Sequence, residues 1–414
     1  MPQRSGFGWQ AYGALIEALS WLHYVVLSPL GKSDEGGAEW LASRRHSVLP
    51  EPFEGRRIWI HAVSAGEAKV AELLRGQLLA LDPGLSVILS STTYSGYARV
   101  RRAAGESASF IMPLDTMPAQ ARVFGRLRPD LLVLVESEYW PAQFAAAEAA
   151  GVPVVVVNAT LSARSFARHR RFPAIARRTL LRARRIYPQD EQTLARYREL
   201  GVPAERLELG GNLKLAPLGH LSAPDHSLPT ITFGNVHAGE LEALAPAVAE
   251  LQARSPTHRI VLVPRYPGRI PLSELHRRFG PGLAVAEDLA VTDGNLVWLD
   301  RMGALGDAYA RSELGVVCGT FAPIGGHDLS EPLQFGAASL YGPHVERQSA
   351  LHSALQEMRG AIQVRSAIEL PDAVPRLLDS PAERDAMVAR YRALSETAAI
   401  RLREIATDLL AFTH

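Results

Sequence analysis

The chain alternates short apolar runs with longer stretches of helical character, and this alternation constrains its fold more than any other feature. The runs are rich in β-branched residues and almost free of charge, which is typical of parallel strands buried on both faces. Helices between such strands cover the two faces of the sheet. The first series of predicted strands comprises residues 58–63, 86–92, 110–114, 131–137 and 153–159.

A second series follows a break in the alternation. Residues 216–229 contain three prolines and no periodic apolar face, and we interpret them as a linker. The second series comprises residues 230–236, 259–265, 295–300, 313–320 and 338–344. The sequence therefore predicts an α/β fold with two doubly wound, Rossmann-like domains that face a cleft and carry functional loops at the carboxyl ends of their strands.

Length and composition agree with this organisation. A chain of 414 residues accommodates two sizeable domains, which we place at 33–215 and 216–390, with a final helix over 391–414 that packs back on the first domain. The 44 basic and 43 acidic residues balance, which argues against general nucleic-acid binding. The single cysteine, Cys318, excludes an internal disulfide and a cysteine metal site, and favours a reduced, cytoplasmic setting.

The amino-terminal segment up to residue 32 is apolar and aromatic. Within residues 7–30 the only charged residue is Glu17, and this acid together with His23 makes a full membrane span costly. We predict a helix that lies in the membrane surface, and the alternative is an amphipathic helix that packs on its own domain. The apolar residues at helical spacing on one side are Tyr12, Leu15, Ile16, Leu19, Leu22 and Val26.

Three loops of the first half carry polar residues at predicted strand ends. Ser64 and Glu67 have the spacing of a helix-capping box, and Gly66 between them would let an anion approach the free N–H groups of a helix start. Glu136 and Glu138 lie two apart at a strand end, and a carboxylate there either holds sugar hydroxyls, accepts a proton or caps the next helix. Arg164 directly follows a strand and is a candidate anion-binding residue, whereas the arginines after it resemble a solvated helix face.

The second half offers a candidate phosphate site. Arg265 follows a predicted strand, and a guanidinium group suits a phosphate or a carboxylate. Gly325 and Gly326 would bring backbone N–H groups close to a phosphate, and Glu331 would accept from a ribose diol. His327 has no second histidine or carboxylate cluster at metal-ligand spacing, so we predict no metal ion here.

These segments, taken in order, resemble the Kdo transferase family, which is composed of GT-B glycosyltransferases that move 3-deoxy-D-manno-octulosonic acid (Kdo) from CMP-Kdo to a lipid A precursor. The resemblance covers nearly the whole chain. It is carried by the motifs HAVSAGE, TTYSGY, ESEYWP, NATLSARS, GNLK, VHAGE, PRYPGR, MGALGDAY, GGHDLSEP and YGPH.

The resemblance implies roles for particular residues. It makes Glu39, in the segment GGAEWLA, the catalytic base of an inverting transfer. It implies that Lys214, Arg265 and the backbone at Gly325 and Gly326 offset the phosphate charge of CMP, with no metal ion or other cofactor. It also implies that Glu331 and His327, which lie in the same loop, bind the nucleotide. The Kdo carboxylate or the acceptor would then meet Ser64, Gly66, Glu67, Glu138 or Arg164.

The implied setting is the cytoplasmic face of the inner membrane, with the lipid acceptor as partner. Four positions depart from the family pattern, namely Trp40, Thr160, Ala304 and Asp328. Because these departures remove cations and a carboxylate and add an acid, a changed donor or acceptor stays possible. Two alternative functions also stay open, the first on the shared two-domain cleft and the second on the departures. One is a sugar-nucleotide epimerase of the same fold, and the other is a non-catalytic binding protein that keeps the fold.

Overall fold

The computed structural model describes residues 6–23, 37–53, 55–137, 139–217, 229–289 and 294–413. The chain divides into two compact units. The first comprises Met1–Ala216 together with Thr397–His414, and the second comprises Pro217–Glu396. Each unit contains one parallel sheet with helices around it, which is the predicted α/β class.

Six parallel strands form the sheet of the first unit. Their order is β3-β2-β1-β4-β5-β6, the arrangement of a classic doubly wound sheet. Apolar side chains fill both faces, and the rings of Phe110 and Phe124 lie 5.6 and 5.3 Å from that of the buried Trp59. The strands are β1 (Arg57–Ala62), β2 (Ser86–Ser91), β3 (Ser109–Ile111), β4 (Leu131–Val135), β5 (Val154–Ala159) and β6 (Arg185–Pro188).

Helices flank this sheet and precede it. They are α1 (Gly6–Trp21), α2 (Gly37–Arg45), α3 (Ala65–Leu81), α4 (Tyr94–Ala104), α5 (Met117–Leu127), α6 (Pro141–Ala149), α7 (Ala163–Arg171), α8 (Pro173–Arg178) and α9 (Glu191–Glu199). The sequence explains several of their starts, because Thr93 and Asp190 cap α4 and α9 with side-chain oxygens.

The second unit contains seven parallel strands. Their order is β13-β12-β11-β7-β8-β10-β9, with the first strand of the unit again in the middle of the sheet. The strands are β7 (Thr230–Val236), β8 (Arg259–Pro264), β9 (Ala284–Ala286), β10 (Leu296–Leu299), β11 (Leu314–Val317), β12 (Ala338–Tyr341) and β13 (Ile362–Gln363).

The helices of the second unit include one that continues into the first. They are α10 (Leu241–Arg254), α11 (Leu272–Phe279), α12 (Leu305–Ala310), α13 (Glu331–Gln334), α14 (Ser349–Glu357), α15 (Leu370–Leu378) and α16 (Pro381–Leu410). The end of α16 belongs to the first unit, where Asp408 accepts a hydrogen bond from Tyr187 at 2.9 Å and Arg401 pairs with Glu208 at 2.6 Å.

All ten predicted strands are confirmed, with ends that differ by a few residues. The prediction missed β6, β9 and β13. These three strands lie at sheet edges. An edge strand pairs on one side only, and β9 and β13 are also short and partly exposed, so they show no continuous apolar run; β6 is buried after its first residue but has only four residues.

The amino-terminal prediction is confirmed in part and corrected in part. Helix α1 is present, and residues 24–30 of the predicted helix lie outside the described residues. Tyr12 and Ile16 face the first unit, where the Tyr12 hydroxyl donates to Asp115 at 2.6 Å and Ile16 packs beside Trp40 and Leu41. The predicted apolar side is therefore covered only in part, because a row of leucines on the same side stays exposed. That exposed row is Leu15, Leu19 and Leu22.

Among the described residues, no helix combines the length and the apolar character that a membrane crossing requires.

Candidate functional site

Both sheets place polar loops at the point where the strand order reverses. In the first sheet this point lies between β1 and β4, and in the second between β7 and β11. Ligands of doubly wound folds bind beyond the carboxyl ends of such strands. The loops at these two places include Ser64–Glu67 and Glu136 in the first unit, and His237–Glu240 and Gly319–Glu331 in the second.

The loop after β1 forms the predicted capping box. The Ser64 hydroxyl accepts from the N–H of Glu67 at 3.3 Å and donates to its carboxylate at 2.9 Å. The other carboxylate oxygen of Glu67 accepts from the N–H of Val63 at 2.8 Å. The N-cap role of Ser64 is thus confirmed, whereas the reciprocal bond to Glu67 comes from Val63 instead of Ser64; the Glu67 side chain is buried. A role of Ser64, Gly66 or Glu67 in ligand binding stays a prediction.

A partly buried ion pair lies beside this capping box, with 36% of the Lys214 side chain and 17% of the Glu136 side chain exposed. Lys214 pairs with Glu136, the residue that directly follows β4, and a Cβ atom placed on Gly66 would lie 3.6 Å from the Lys214 ammonium. Glu136 also accepts from the Asn158 amide at 3.4 Å. The structure places Lys214 in the first unit, as the predicted boundary at residue 215 does, beside Gly66 and Glu136. Its role in donor binding, which the resemblance implies, stays a prediction.

Backbone strain marks the same edge of the first sheet. Glu136 and Asn158 adopt positive φ angles of 65° and 52°, a backbone conformation that residues other than glycine rarely adopt. The Asn158 side chain secures this geometry because its oxygen accepts from the N–H of Leu213 at 2.9 Å. Strain of this kind costs about 1–3 kcal/mol per residue and clusters at functional sites.

The remaining predicted residues of the first unit are exposed or undescribed. Glu39 lies in the first turn of α2 and is exposed. Arg164 is exposed in the first turn of α7. The prediction that it lies in the loop between the strand and this helix is therefore wrong. Glu138 lies outside the described residues. The departure Trp40 is a packed residue, since its side chain is 5% exposed.

The second unit brings together two histidines. Their Nε2 atoms lie 2.8 Å apart, and the rings of His237 and His327 are nearly parallel. Burial, followed by the charges of His237, Arg265 and Arg347, lowers the pKa of His327 to about 4. Burial and the Arg265 charge also hold the pKa of His237 below its ordinary value. Both imidazoles are therefore neutral at pH 7, and one donates to the other.

This pair lies beside a cationic aromatic cluster. The ring of Tyr266 stands edge-on to His237 at 5.9 Å. The guanidinium groups of Arg265 and Arg269 lie 5.5 and 4.4 Å from the Tyr266 ring. Arg265 is exposed, as a residue that binds an anion from solution must be.

Glu240 joins the two loops of the second site. Its side chain is fully buried, and it accepts from the N–H groups of Gly319 at 2.8 Å, Phe321 at 2.9 Å and His237 at 3.1 Å. Burial raises the pKa of the Glu240 carboxyl, while these backbone hydrogen bonds oppose the rise. The carboxylate therefore fixes the loop after β11 against the loop after β7.

The glycine loop differs in detail from its predicted form. Gly325 and Gly326 have φ angles of 100° and 87°, which glycine adopts without strain. The N–H of Gly326 donates to the carbonyl of Gly319 at 3.0 Å. The expectation that it faces a phosphate is therefore wrong, because the turn itself uses this donor. The stem of Arg347 covers Gly325, where a Cβ atom would approach it to 2.7 Å.

The acidic residues of this loop have separate partners. Glu331 accepts from the amide of Asn235 at 3.1 Å, and Asn235 has a φ angle of 61°. Asp328 accepts from the N–H and the hydroxyl of Ser330 at 3.0 and 2.6 Å. The departure Asp328 therefore caps its own turn.

Sequence reasoning missed the residues that organise both sites. Glu136, Asn158, Asn235, Glu240 and Arg347 carry no specific role there: Glu136 was considered only together with Glu138, and Asn158, His237 and Glu240 appeared only within motifs. His237 and His327 are 90 residues apart, so spacing could not pair them. The signal that was available is position, because each of the first four, like His237, lies within or just after a predicted strand.

Comparison with known proteins gives a consistent family. A family model described as 3-deoxy-D-manno-octulosonic-acid transferase (kdotransferase) matches residues 39–217. The 3-deoxy-D-manno-octulosonic acid transferase of Haemophilus influenzae is 30% identical over 355 residues, which is 82% of this chain and 83% of that protein. The protein of the same name from Bordetella pertussis is 30% identical over 364 residues, or 81% and 82%.

Solved structures share the fold at low identity. UDP-GlcNAc 2-epimerase from Neisseria meningitidis has a TM-score of 0.57 at 14% identity, and the match covers 86% of this chain and 99% of that one. The glycotransferase of kitacinnamycin has a TM-score of 0.55 at 15% identity, with 87% and 100% covered. These similarities show that both units have the architecture of GT-B glycosyltransferases and related epimerases.

Proposed function

Because this chain belongs to the 3-deoxy-D-manno-octulosonic acid transferase family, we propose that it moves Kdo from CMP-Kdo to a lipid A precursor in lipopolysaccharide synthesis. It is a glycosyltransferase. The observation that carries the proposal is the cationic edge of the second sheet, where Arg265 and Arg347 lie beside two neutral histidines. A sugar nucleotide with an anionic phosphate suits this edge.

The second unit binds the donor in this proposal. Arg265 contacts the phosphate of CMP, and Glu331 accepts from the ribose hydroxyls. His327 is neutral and so can donate a hydrogen bond to the phosphate without carrying a charge of its own. Glu240 keeps the glycine loop in place for these contacts, since it binds both loops through backbone N–H groups.

The first unit supplies the base. An acceptor hydroxyl oxygen attacks the anomeric carbon of Kdo, the bond from that carbon to the phosphate oxygen of CMP breaks, and CMP leaves with the electron pair. Glu39 takes the proton of the hydroxyl, and the anomeric configuration inverts. Lys214, Ser64 and Arg164 are the candidates in this unit for the Kdo carboxylate or for anionic groups of the acceptor.

We further propose that this reaction uses no metal ion. The charge on the leaving phosphate is offset by guanidinium groups, which act as fixed positive charges in the transition state. The described residues contain no cluster of three or more His, Cys, Asp or Glu that could hold a metal ion. Activity that is unchanged in EDTA would support this proposal, and strict dependence on a divalent ion would contradict it.

The exposed row of α1 supports the membrane location. Leu15, Leu19 and Leu22 are 55%, 52% and 44% exposed, and Trp21 is 51% exposed. Tyr12 and Ile16, on the adjoining part of the same face, contact the rest of the first unit. A helix whose apolar face lies partly on its own domain and partly in solvent suits the surface of a bilayer. We propose that this row contacts a membrane surface, which for a CMP-Kdo-dependent transferase is the cytoplasmic face of the inner membrane.

Product analysis tests the function directly. The full chain is incubated with CMP-Kdo and a lipid A precursor in detergent micelles, and the products are identified by mass spectrometry. We expect release of CMP together with a lipid that has gained Kdo. A sugar nucleotide that changes configuration without transfer would indicate an epimerase, and donor binding without any product would indicate a binding protein.

A further inference from the structure

Helix α2 is too short to be stable without contacts to the rest of the protein. It spans nine residues, whereas isolated helices shorter than about 12–15 residues are marginal in water. One side of it is buried through Trp40, Leu41 and Arg44, which are 5%, 2% and 9% exposed. The position of Glu39, which is exposed in the first turn, therefore depends on these contacts.

Trp40 fastens the first turn of α2. Its indole N–H donates to the carbonyl of Thr92 at 2.9 Å. Its ring stands edge-on to Tyr94 at 5.7 Å and lies 6.1 Å from Tyr97. These three partners belong to one segment, which runs from the end of β2 into α4. Aromatic contacts of this geometry add directional preference to simple burial.

The segment that receives Trp40 is fixed to the capping-box loop. The hydroxyls of Ser91 and Thr93 both donate to the carbonyl of Val63, at 2.8 and 2.7 Å, and Ser64 follows directly in the chain. Trp40 thereby ties the start of α2 to the carboxyl edge of the first sheet. Glu39, its neighbour in the chain, is held at this edge.

A second anchor holds the other end of α2. The guanidinium of Arg44 donates to the carbonyls of Met112 at 3.0 Å and Pro113 at 3.2 Å. Arg44 lies one turn after Trp40, so the two anchors hold different ends of the helix. Arg44 keeps the helix on the protein, while Trp40 sets the direction of the first turn.

We propose that Trp40 is a positioning residue for the transfer reaction, which holds the Glu39 carboxylate in place through the Thr92 carbonyl and the Tyr94 and Tyr97 rings. This inference rests on the proposed role of Glu39 as the base. It assigns to the ring of Trp40 a function in the rate of proton transfer and none in donor binding.

The test is a double-mutant cycle. Trp40→Phe keeps a ring but removes the N–H, and we expect kcat to fall about 10- to 100-fold with KM for CMP-Kdo unchanged, because small displacements of a reacting group have effects of this size. In a Glu39→Gln background the same change should have no further effect on kcat. Amide hydrogen exchange over residues 39–45 should be faster in Trp40→Phe than in the parent.

Trp59→Phe is the matched control. Trp59 is a buried tryptophan of the same unit whose N–H donates to Ser90 at 2.7 Å, and it has no contact with α2 among those observed in the described residues. We expect this variant to lower the melting temperature without a comparable fall in kcat. Tyr94→Ala is a second variant that should fold even if Trp40→Phe does not, since Tyr94 is 58% exposed. It should lower kcat by a smaller factor, which Glu39→Gln should again abolish.

The outcomes separate the inference from the proposed function. If Glu39→Gln abolishes transfer but Trp40→Phe and Trp59→Phe lower kcat equally, the inference fails and the base assignment stands. If Trp40→Phe lowers kcat by the same factor in both backgrounds, Trp40 acts on something other than Glu39, and the inference again fails. If Glu39→Gln transfers Kdo at the parent rate, the base assignment is wrong, and the inference falls with it.

Discussion

The carboxyl edges of the two sheets share a design but differ in charge. Each has an asparagine with positive φ that donates to an acid, Asn158 to Glu136 in the first unit and Asn235 to Glu331 in the second. In the first unit the acid is neutralised by Lys214. In the second unit burial, and then the charges of His237, Arg265 and Arg347, lower the pKa of His327, so the edge is electropositive around the histidines.

This difference indicates a division of labour on a common scaffold. A neutralised edge with hydroxyl groups suits a sugar or an acceptor, while an electropositive edge suits a phosphate. The two histidines at the edge of the second sheet are kept neutral by burial. The arginines are therefore the cations of that edge. The fold alone does not make this distinction, since both sheets are doubly wound.

The largest effect should come from the exposed acid of the first unit. Glu39→Gln keeps the size of the side chain but cannot take a proton, so we expect the transfer rate to fall by about 10²–10⁴. The affinity for CMP, measured by calorimetry, should not change. Glu51→Gln is the control, because Glu51 is also an exposed acid of this unit. Transfer by Glu39→Gln within about threefold of the parent would shift attention to Glu138.

The next effect compares one cation from each edge. Arg265→Ala should weaken CMP binding by about 30-fold, since the loss of a charged hydrogen bond in a desolvated site costs about 2 kcal/mol. Glu331→Ala should also weaken it. Lys214→Ala should leave CMP affinity within about threefold, because Lys214 pairs with Glu136 in the other unit. Equal losses for Arg265→Ala and Lys214→Ala would remove the distinction between the edges.

A smaller effect concerns pH, since each edge contains a neutral histidine. Burial, aided by the charge of Arg44, lowers the pKa of His61 in β1 to about 3. Between pH 6.5 and about 3 the unfolded chain binds a proton that native His61 does not, so stability falls as pH falls through this window. From pH 7 to 5.5 the expected loss for a single such group is about 1.4 kcal/mol.

Urea unfolding at pH 7 and pH 5.5 measures this loss. The parent should lose stability on acidification, and His61→Gln should lose about 1.4 kcal/mol less over the same interval. His327→Gln should behave in the same way, because the pKa of His327 is also low. Addition of CMP should change the loss of stability between pH 7 and pH 5.5 in the parent and in His61→Gln. It should not change this loss in His327→Gln. If neither substitution changes the loss of stability between pH 7 and pH 5.5, neither histidine is buried as described.

The smallest effect tests whether the first unit alone contacts the membrane. Leu19→Ser should lower binding to vesicles of anionic phospholipid about fivefold, because burial of a partly exposed leucine in the interface contributes about 1 kcal/mol. The matched control is Leu272→Ser in the second unit, where Leu272 is 51% exposed compared with 52% for Leu19. If both variants sediment equally with the vesicles, α1 is not the membrane contact.

The strands show how far the sequence predicts the fold. A strand buried on both faces needs a continuous apolar run, so the nine strands with a neighbour on each side were visible in the sequence, together with the edge strand β3. The edge strand β9, in contrast, has the exposed residue Val285 at its centre, and β13 has two residues. Such strands exist because a neighbouring strand offers hydrogen-bonding groups, and that neighbour is not encoded locally.

The candidate sites divide in the same way. The sequence by itself determined the two α/β series, the capping box of Ser64 and Glu67, and the motif order that indicates the family, because each is written in neighbouring residues. Only the tertiary structure decided that His237 meets His327, that Lys214 pairs with Glu136 and that Trp40 reaches Thr92. These contacts join residues far apart in the chain, and their geometry follows from the strand order of each sheet, which no local pattern encodes.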